Sequence, residues 1–207
     1  MMVKVKICGI TDIETALVAV ENGADAIGFV FAHSKRRVTP EVAKSIIEQL
    51  PSQVEKVGVF VNETLETMEE IASACGLTII QLHGEEGHDV CEQLQYPLVK
   101  AIGIANDDDV QHALRYPTEH ILVDSPKGHV YHGGNGQTFD WQLVETMHTA
   151  GKKIILAGGL NVDNVKEAIR AVNPYMVDVS SGVETDGIKD HEKIRLFLQA
   201  AKGENIQ

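Results

Sequence analysis

A thiol and a carboxylate stand at the ends of two apolar runs: Cys8 after Val-Lys-Val-Lys-Ile, and Asp124 after Ile-Leu-Val. A thiolate can remove a proton or attack carbon, and a protonated carboxyl can donate to a leaving oxygen. In the first run Val3, Val5 and Ile7 alternate with Lys4, Lys6 and Cys8, the period of a strand with two unlike faces, and Gly9 stops it. Cys8 is then either a small buried hydrophobe or a reactive thiol whose thiolate the nearby Lys6 stabilises. Asp124 either caps the turn that follows it or serves as a general acid with a pKa raised by burial. Its place at the tip of an apolar strand favours the acid.

The elements that must position these groups alternate along the whole chain. Apolar, β-rich runs at Val3 to Ile7, Ala26 to Phe31, Lys56 to Val61, Thr78 to Leu82, Leu98 to Ile102, Ile121 to Val123, Lys153 to Ala157 and Met176 to Val179 are each followed by a helical pattern. Start and stop signals mark several helices. Thr11 with Glu14 reads as a capping box, Thr39-Pro40 as a cap and first turn, and Thr64 and Gly76 bracket Leu65 to Cys75. Further helices are expected near Glu86 to Leu94, near Asp107 to Arg115, after an Asp140 cap, from about Asn161, and from about Asp190 to Ala201. Eight strand–helix units without a hairpin predict a parallel sheet closed into a single-domain (β/α)8 TIM barrel over residues 1–207, compact beside the roughly 250 residues usual for the fold. The open doubly wound alternative lacks its Gly-x-Gly-x-x-Gly fingerprint after the first strand.

In such a barrel the C-terminal strand ends share one face. They bring Cys8, Arg36, Asn62, His83, Asp124, Gly158-Gly159 and Ser180-Ser181-Gly182 to one polar rim. The glycines and serines after strands 7 and 8 are either tight turns or a phosphate cradle of backbone N–H groups. Arg36, in Ser-Lys-Arg-Arg, is either a solvated loop cation or a bidentate clamp for a carboxylate. His83 is either a satisfied polar residue or a catalyst. Lys6, Lys100 and Asp178 share the rim parity and are expected to point inward. A Schiff-base lysine is one reading of them, and an interior ion pair such as Lys6 with Asp178 is the preferred one. His129 and His132 in the long Ser125 to Thr138 loop lack a third ligand at metal-site spacing and read as surface residues.

Composition narrows the partners. The chain has 207 residues, 43% hydrophobic, with a net charge of -12, which opposes binding to nucleic acid or an anionic membrane. An anionic ligand must therefore be held by local features. No apolar run approaches the ~20 residues of a membrane helix. Three cysteines, Cys8, Cys75 and Cys91, without Cys-x-x-Cys spacing argue for a reducing, cytoplasmic setting, and no signal peptide fits before the first strand.

Lys-Ile-Cys-Gly-Ile-Thr, Gly-Ala-Asp-Ala-Ile-Gly-Phe-Val-Phe, Ser-Lys-Arg, Val-Gly-Val-Phe-Val-Asn, Gln-Leu-His-Gly-Glu, Leu-Val-Asp, Gly-Gly-Asn-Gly-Gln-Thr-Phe-Asp-Trp, Ala-Gly-Gly-Leu and Val-Asp-Val-Ser-Ser-Gly-Val-Glu occur in this order. Together they closely resemble the phosphoribosylanthranilate isomerases, (β/α)8 barrels of tryptophan biosynthesis, along nearly the whole chain to about Lys202. The resemblance implies an Amadori rearrangement of a phosphorylated aminoaldose to an aminoketose, with no metal or redox cofactor. It implies that Cys8 is the general base, Asp124 the general acid and Arg36 the holder of the anthranilate carboxylate. The phosphate would lie on the backbone around Gly158, Gly159, Ser180, Ser181 and Gly182, and His83 and Asp178 would face the substrate. On this reading Asp124 is raised by burial, Cys8 is lowered by cationic surroundings, including the Schiff-base nitrogen that forms beside it, and the loop after Asp124 is a lid. Members occur as monomers or homodimers.

The resemblance has gaps. Asn135 and Gln137 stand where relatives commonly carry a small hydroxyl residue and Lys, and Gly128 to His132 is unfamiliar. Two other readings share some of these features. The histidine-pathway isomerase resembles a two-fold repeated barrel with an Asp ending strand 1, where this chain has Cys8 and no repeat. A phosphate-binding barrel without catalysis would be suggested by loss of Cys8 or Asp124, and both are present.

Overall fold

Eight parallel strands pair in sequence order and close on themselves. They are β1 (Lys4–Cys8), β2 (Ala26–Val30), β3 (Glu55–Phe60), β4 (Ile79–Leu82), β5 (Leu98–Gly103), β6 (His120–Asp124), β7 (Lys153–Ala157) and β8 (Met176–Val179). Between and after them run α1 (Ile13–Glu21), α2 (Pro40–Ile47), α3 (Leu65–Cys75), α4 (His88–Gln93), α5 (Asp107–Leu114), α6 (Trp141–Thr149), α7 (Val165–Val172) and α8 (His191–Lys202). After β8 come a short 3₁₀ turn, Ser181–Val183, and a small antiparallel ribbon of β9 (Glu184–Thr185) and β10 (Ile188–Lys189). The computed structural model describes residues 2–124 and 141–203, with the side chains of 141–144 excepted. The expected lid, the Asp140 cap, and His129 and His132 lie outside the described residues. No described helix is long and apolar enough to cross a membrane.

The two faces of each strand do different work. Val5, Ile7, Ile27, Phe29, Ile80, Leu82, Val123 and Leu156 point out and pack under the helices. The inward set is smaller: Ala26, Val57, Val99, Ala101, Leu122, Ile155, Ala157 and Met176 form the interior cluster. Strand parity puts Lys6, Cys8, Gln81, Asp124 and Asp178 on that inward face, nearer the C-terminal mouth. Lys100 departs from expectation. Its neighbours Val99 and Ala101 take the interior, so Lys100 faces the helix layer, where its ammonium meets Glu86 at 2.7 Å and the Gly84 carbonyl at 2.6 Å.

Helix starts follow capping chemistry, with three revisions. Thr39 with Pro40, and Thr64 with Gly76, act as expected. α1 is capped by Asp12 rather than Thr11. The Asp12 carboxylate accepts both the backbone N–H and the hydroxyl of Thr15, at 2.8 and 2.9 Å. α4 starts at His88, because Glu86 is drawn down to Lys100 and to the N–H groups of Asn62 and Gly84. α7 starts at Val165, because the Asn161 side chain accepts from the N–H groups of Asp163 and Asn164 and holds a turn ahead of it.

Candidate active site

The C-terminal mouth of the barrel holds a cleft of about 680 Å³. Cys8, Arg36, His83, Asp124, Gly158, Gly159, Asp178, Ser180, Ser181 and Gly182 all line it, whereas Asn62, expected on the same rim, lines a neighbouring cleft that shares His83 and Asp124. They arrive from separate strands and loops, as the barrel topology requires.

Cys8 ends β1 with 8% of its surface exposed. A Cβ on Gly28 of the neighbouring strand would lie 2.8 Å from Cys8 Sγ and 3.0 Å from Lys6 Cε, so only glycine leaves room for both side chains. Lys6, two residues back on the same face, donates to Asp178 Oδ2 at 2.8 Å and to Gln81 Oε1 at 2.7 Å. The preferred ion pair is therefore found, across the β1–β8 register that sets Lys6 beside Asp178. The expected depression of the Cys8 thiol is not. Burial pushes it up, aided by Asp178, and outweighs the downward pull of Lys6 and Lys189. Asp178 Oδ1 is buried and, among the described residues, has no hydrogen-bond partner, although the residue lines the cleft. A buried acceptor left open is costly unless something fills it.

Asp124 ends β6 on the facing side of the mouth. Its expected burial is not found, since 41% of its side chain is exposed. One oxygen lies 3.7 Å from His83 Nε2. His83 follows β4, and its Nδ1 is 3.1 Å from Gln81 Nε2.

Arg36 is not a free cation. Its Nε and Nη2 donate to the two oxygens of Glu184 at 2.6 and 2.7 Å, a bidentate fork that leaves other guanidinium donors to spare. Lys189 braces the same carboxylate at 2.7 Å, and its ammonium also reaches the Ser180 carbonyl at 2.9 Å and hydroxyl at 3.2 Å. Burial pushes Glu184 up, but the hydrogen bonds from Arg36 and Lys189 more than offset it and hold the carboxyl below its usual range. The Ser180 loop also touches the loop after β7, where Gly158 and Gly159 adopt φ of 84° and 66°. A Cβ on Gly182 would sit 1.8 Å from the Leu160 carbonyl oxygen, so the two loops meet backbone to backbone.

Gln81, Glu184 and Lys189 complete this network and were not singled out from the sequence. Gln81 carried a usable signal, a polar residue at inward parity in Ile-Ile-Gln-Leu. Lys189 carried none, because its place depends on the ribbon after β8. Among the described residues no group of three or more His, Cys, Asp or Glu could hold a metal ion.

A closed parallel barrel with a thiol, a carboxylate and two loops rich in glycine and serine gathered at its C-terminal mouth has the build of a (β/α)8-barrel enzyme. The family described as N-(5'-phosphoribosyl)anthranilate (PRA) isomerase matches residues 5–200, and the chain belongs to it. The N-(5'-phosphoribosyl)anthranilate isomerase of Bacillus mycoides is 56% identical over 200 residues, 96% of this chain and 98% of the relative. A crystal structure of phosphoribosyl anthranilate isomerase in complex with reduced 1-(o-carboxyphenylamino)-1-deoxyribulose 5-phosphate superposes with a TM-score of 0.87 at 45% identity, covering 98% of this chain and all of that one. Generated monomers of the dimeric isomerase from Thermotoga maritima superpose with a TM-score of 0.85 at 46% identity and the same coverage.

Proposed function

We propose that the chain isomerises N-(5-phosphoribosyl)anthranilate to 1-(2-carboxyphenylamino)-1-deoxyribulose 5-phosphate in tryptophan biosynthesis. The observation that carries this is the convergence of Cys8, Asp124, Arg36 and the two glycine–serine loops on one cleft, in a chain of this family. Asp124 donates a proton to the ribose ring oxygen. The C1′–O bond breaks, and the nitrogen lone pair forms a cationic Schiff base. Cys8, as thiolate, takes the C2′ proton. The C–H electron pair forms the C1′=C2′ bond of an enolamine as the C1′=N π pair returns to nitrogen, and protonation at C1′ with loss of the 2′-hydroxyl proton gives the ketone. Atoms and electrons balance without an oxidant.

The raised thiol fits this order. Ring opening places a new positive charge beside Cys8, which favours loss of the thiol proton to solvent and so generates the thiolate at the step that needs it. The substrate also covers Asp124 by filling the cleft. Asp178 Oδ1 supplies the acceptor for a substrate N–H or hydroxyl. Arg36 offers its remaining donors to the anthranilate carboxylate, and the Gly158-Gly159 and Ser180 to Gly182 backbone receives the phosphate. The Lys189 ammonium stands behind that loop and raises its affinity for an anion.

Two expectations follow. Glu184→Gln removes the charge that aims Arg36 and pairs Lys189, and KM rises about tenfold while kcat changes less, since charge-assisted hydrogen bonds contribute ~1.5–3 kcal/mol. Steady-state kinetics of the variant checks this. In ligand-free protein, alkylation of Cys8 by iodoacetamide accelerates with pH through and beyond the range of an ordinary thiol, because the folded thiol holds its proton more tightly. Lys6→Met shifts that profile to still higher pH, and mass spectrometry of the modified cysteine reads it out. The proposed reaction itself is tested by supplying the substrate to purified protein and identifying the product chromatographically. One-for-one conversion supports it, and no conversion by folded protein overturns it.

A further inference from the structure

A chain of polar contacts crosses the barrel mouth from the strand that carries Cys8 to the residue that faces Asp124. Asp178 Oδ2 accepts from Lys6 Nζ at 2.8 Å, and Lys6 Nζ also donates to Gln81 Oε1 at 2.7 Å. Gln81 Nε2 lies 3.1 Å from His83 Nδ1, and His83 Nε2 lies 3.7 Å from Asp124 Oδ2. The direction of every contact is fixed by which groups can only donate. A lysine ammonium has donors and no acceptor. Burial disfavours its charge, but Asp178 and Cys8 together outweigh that and keep it protonated. The amide oxygen of Gln81 must therefore face Lys6, which turns its NH₂ toward His83. An NH₂ also only donates, so His83 Nδ1 must accept. The neutral ring then carries its proton on Nε2, the nitrogen that faces Asp124. Gln81 is 2% exposed, so water does not relax the constraint.

We infer that Gln81, oriented by Lys6, is a positioning residue that sets His83 as the Nε2–H tautomer and so aims a donor at one oxygen of Asp124, leaving the other free to hand a proton to substrate. This rests on Asp124 being the general acid. The 3.7 Å separation is long for a hydrogen bond, but such contacts commonly tighten once substrate is bound. Without the donor, the carboxylate loses the partner that selects its rotamer.

The test is nitrogen NMR of histidine-labelled protein, with the His83 signals assigned through His83→Gln. Wild-type protein shows a bare Nδ1 and a protonated Nε2. Gln81→Glu is the decisive variant. It keeps an acceptor for Lys6 but offers His83 only oxygen, so the neutral ring reverses to Nδ1–H and turns a lone pair on Asp124. With the reversal, kcat falls roughly ten- to hundredfold while KM stays within a few-fold, as expected when a reacting group is misaimed. Gln81→Met, uncharged and of similar length, releases the ring to a mixture of tautomers with an intermediate kcat, and covers the case in which the glutamate variant does not fold. Wild-type protein with Nδ1–H overturns the inference. So does a reversed tautomer with unchanged kcat. The nitrogen signals need no turnover, so an error in the acid assignment shows separately, as Asp124→Asn that still turns over while His83 keeps its Nε2–H pattern.

Discussion

Cys8→Ser folds like the wild type and loses about 10²- to 10⁴-fold in kcat, the range general acid–base groups supply. Serine fits the space above Gly28, so the loss is chemical rather than steric. Its hydroxyl holds the proton far more tightly than a thiol does, and even the cationic Schiff base does not release it. Asp124→Asn loses a similar factor, because a neutral amide has no acidic proton to pass to the ring oxygen. Circular dichroism and thermal melts of both variants match the wild type, since neither side chain belongs to the apolar interior cluster. Near-normal turnover in both would remove the acid and base assignments together.

Lys6→Met is the largest stability effect expected. Its ammonium and the Asp178 carboxylate are 2% and 8% exposed at the side chain. Removing one partner strands the other charge inside the barrel, at a cost of about 3–5 kcal/mol, read as a lower denaturant midpoint. Gln81 Oε1 loses its donor at the same time. Lys6→Met combined with Asp178→Leu recovers most of the stability, because the stranded charge is what costs and two apolar side chains fill a similar volume. The double variant stays inactive, lacking the acceptor proposed for substrate. Lys153→Met makes the contrast. Its pair with Glu119 is 45% and 70% exposed, and its loss leaves the midpoint nearly unchanged.

The barrel was legible because the strand–helix alternation is regular and a strand end in this fold has one possible face. That rule alone gathered Cys8, Asp124 and both loops. Parity failed at Lys100. A lysine in a β5 of small apolar residues looks like an inward polar group, and only the fold reveals Glu86 waiting in the helix layer. The protonation state of Cys8 was hidden for a different reason. Whether Lys6 or burial governs the Cys8 thiol depends on their relative strengths, and sequence supplies neither depth nor distance. Asp124 likewise sits at the predicted tip yet stays open, because a strand end fixes direction and not cover. Arg36 lines the cleft as expected, but Glu184, which holds it, and Lys189, which braces Glu184, come from a ribbon with no local sequence signature.

Substrate deuterated at C2′ tests the division of labour most directly. If Cys8 removes that proton and Asp124 opens the ring, Cys8→Ser makes proton abstraction slow and shows a full primary isotope effect on kcat. Asp124→Asn makes ring opening slow and shows none. The opposite pattern, an isotope effect in the Asp124 variant and none in the Cys8 variant, would contradict the assignment of base and acid.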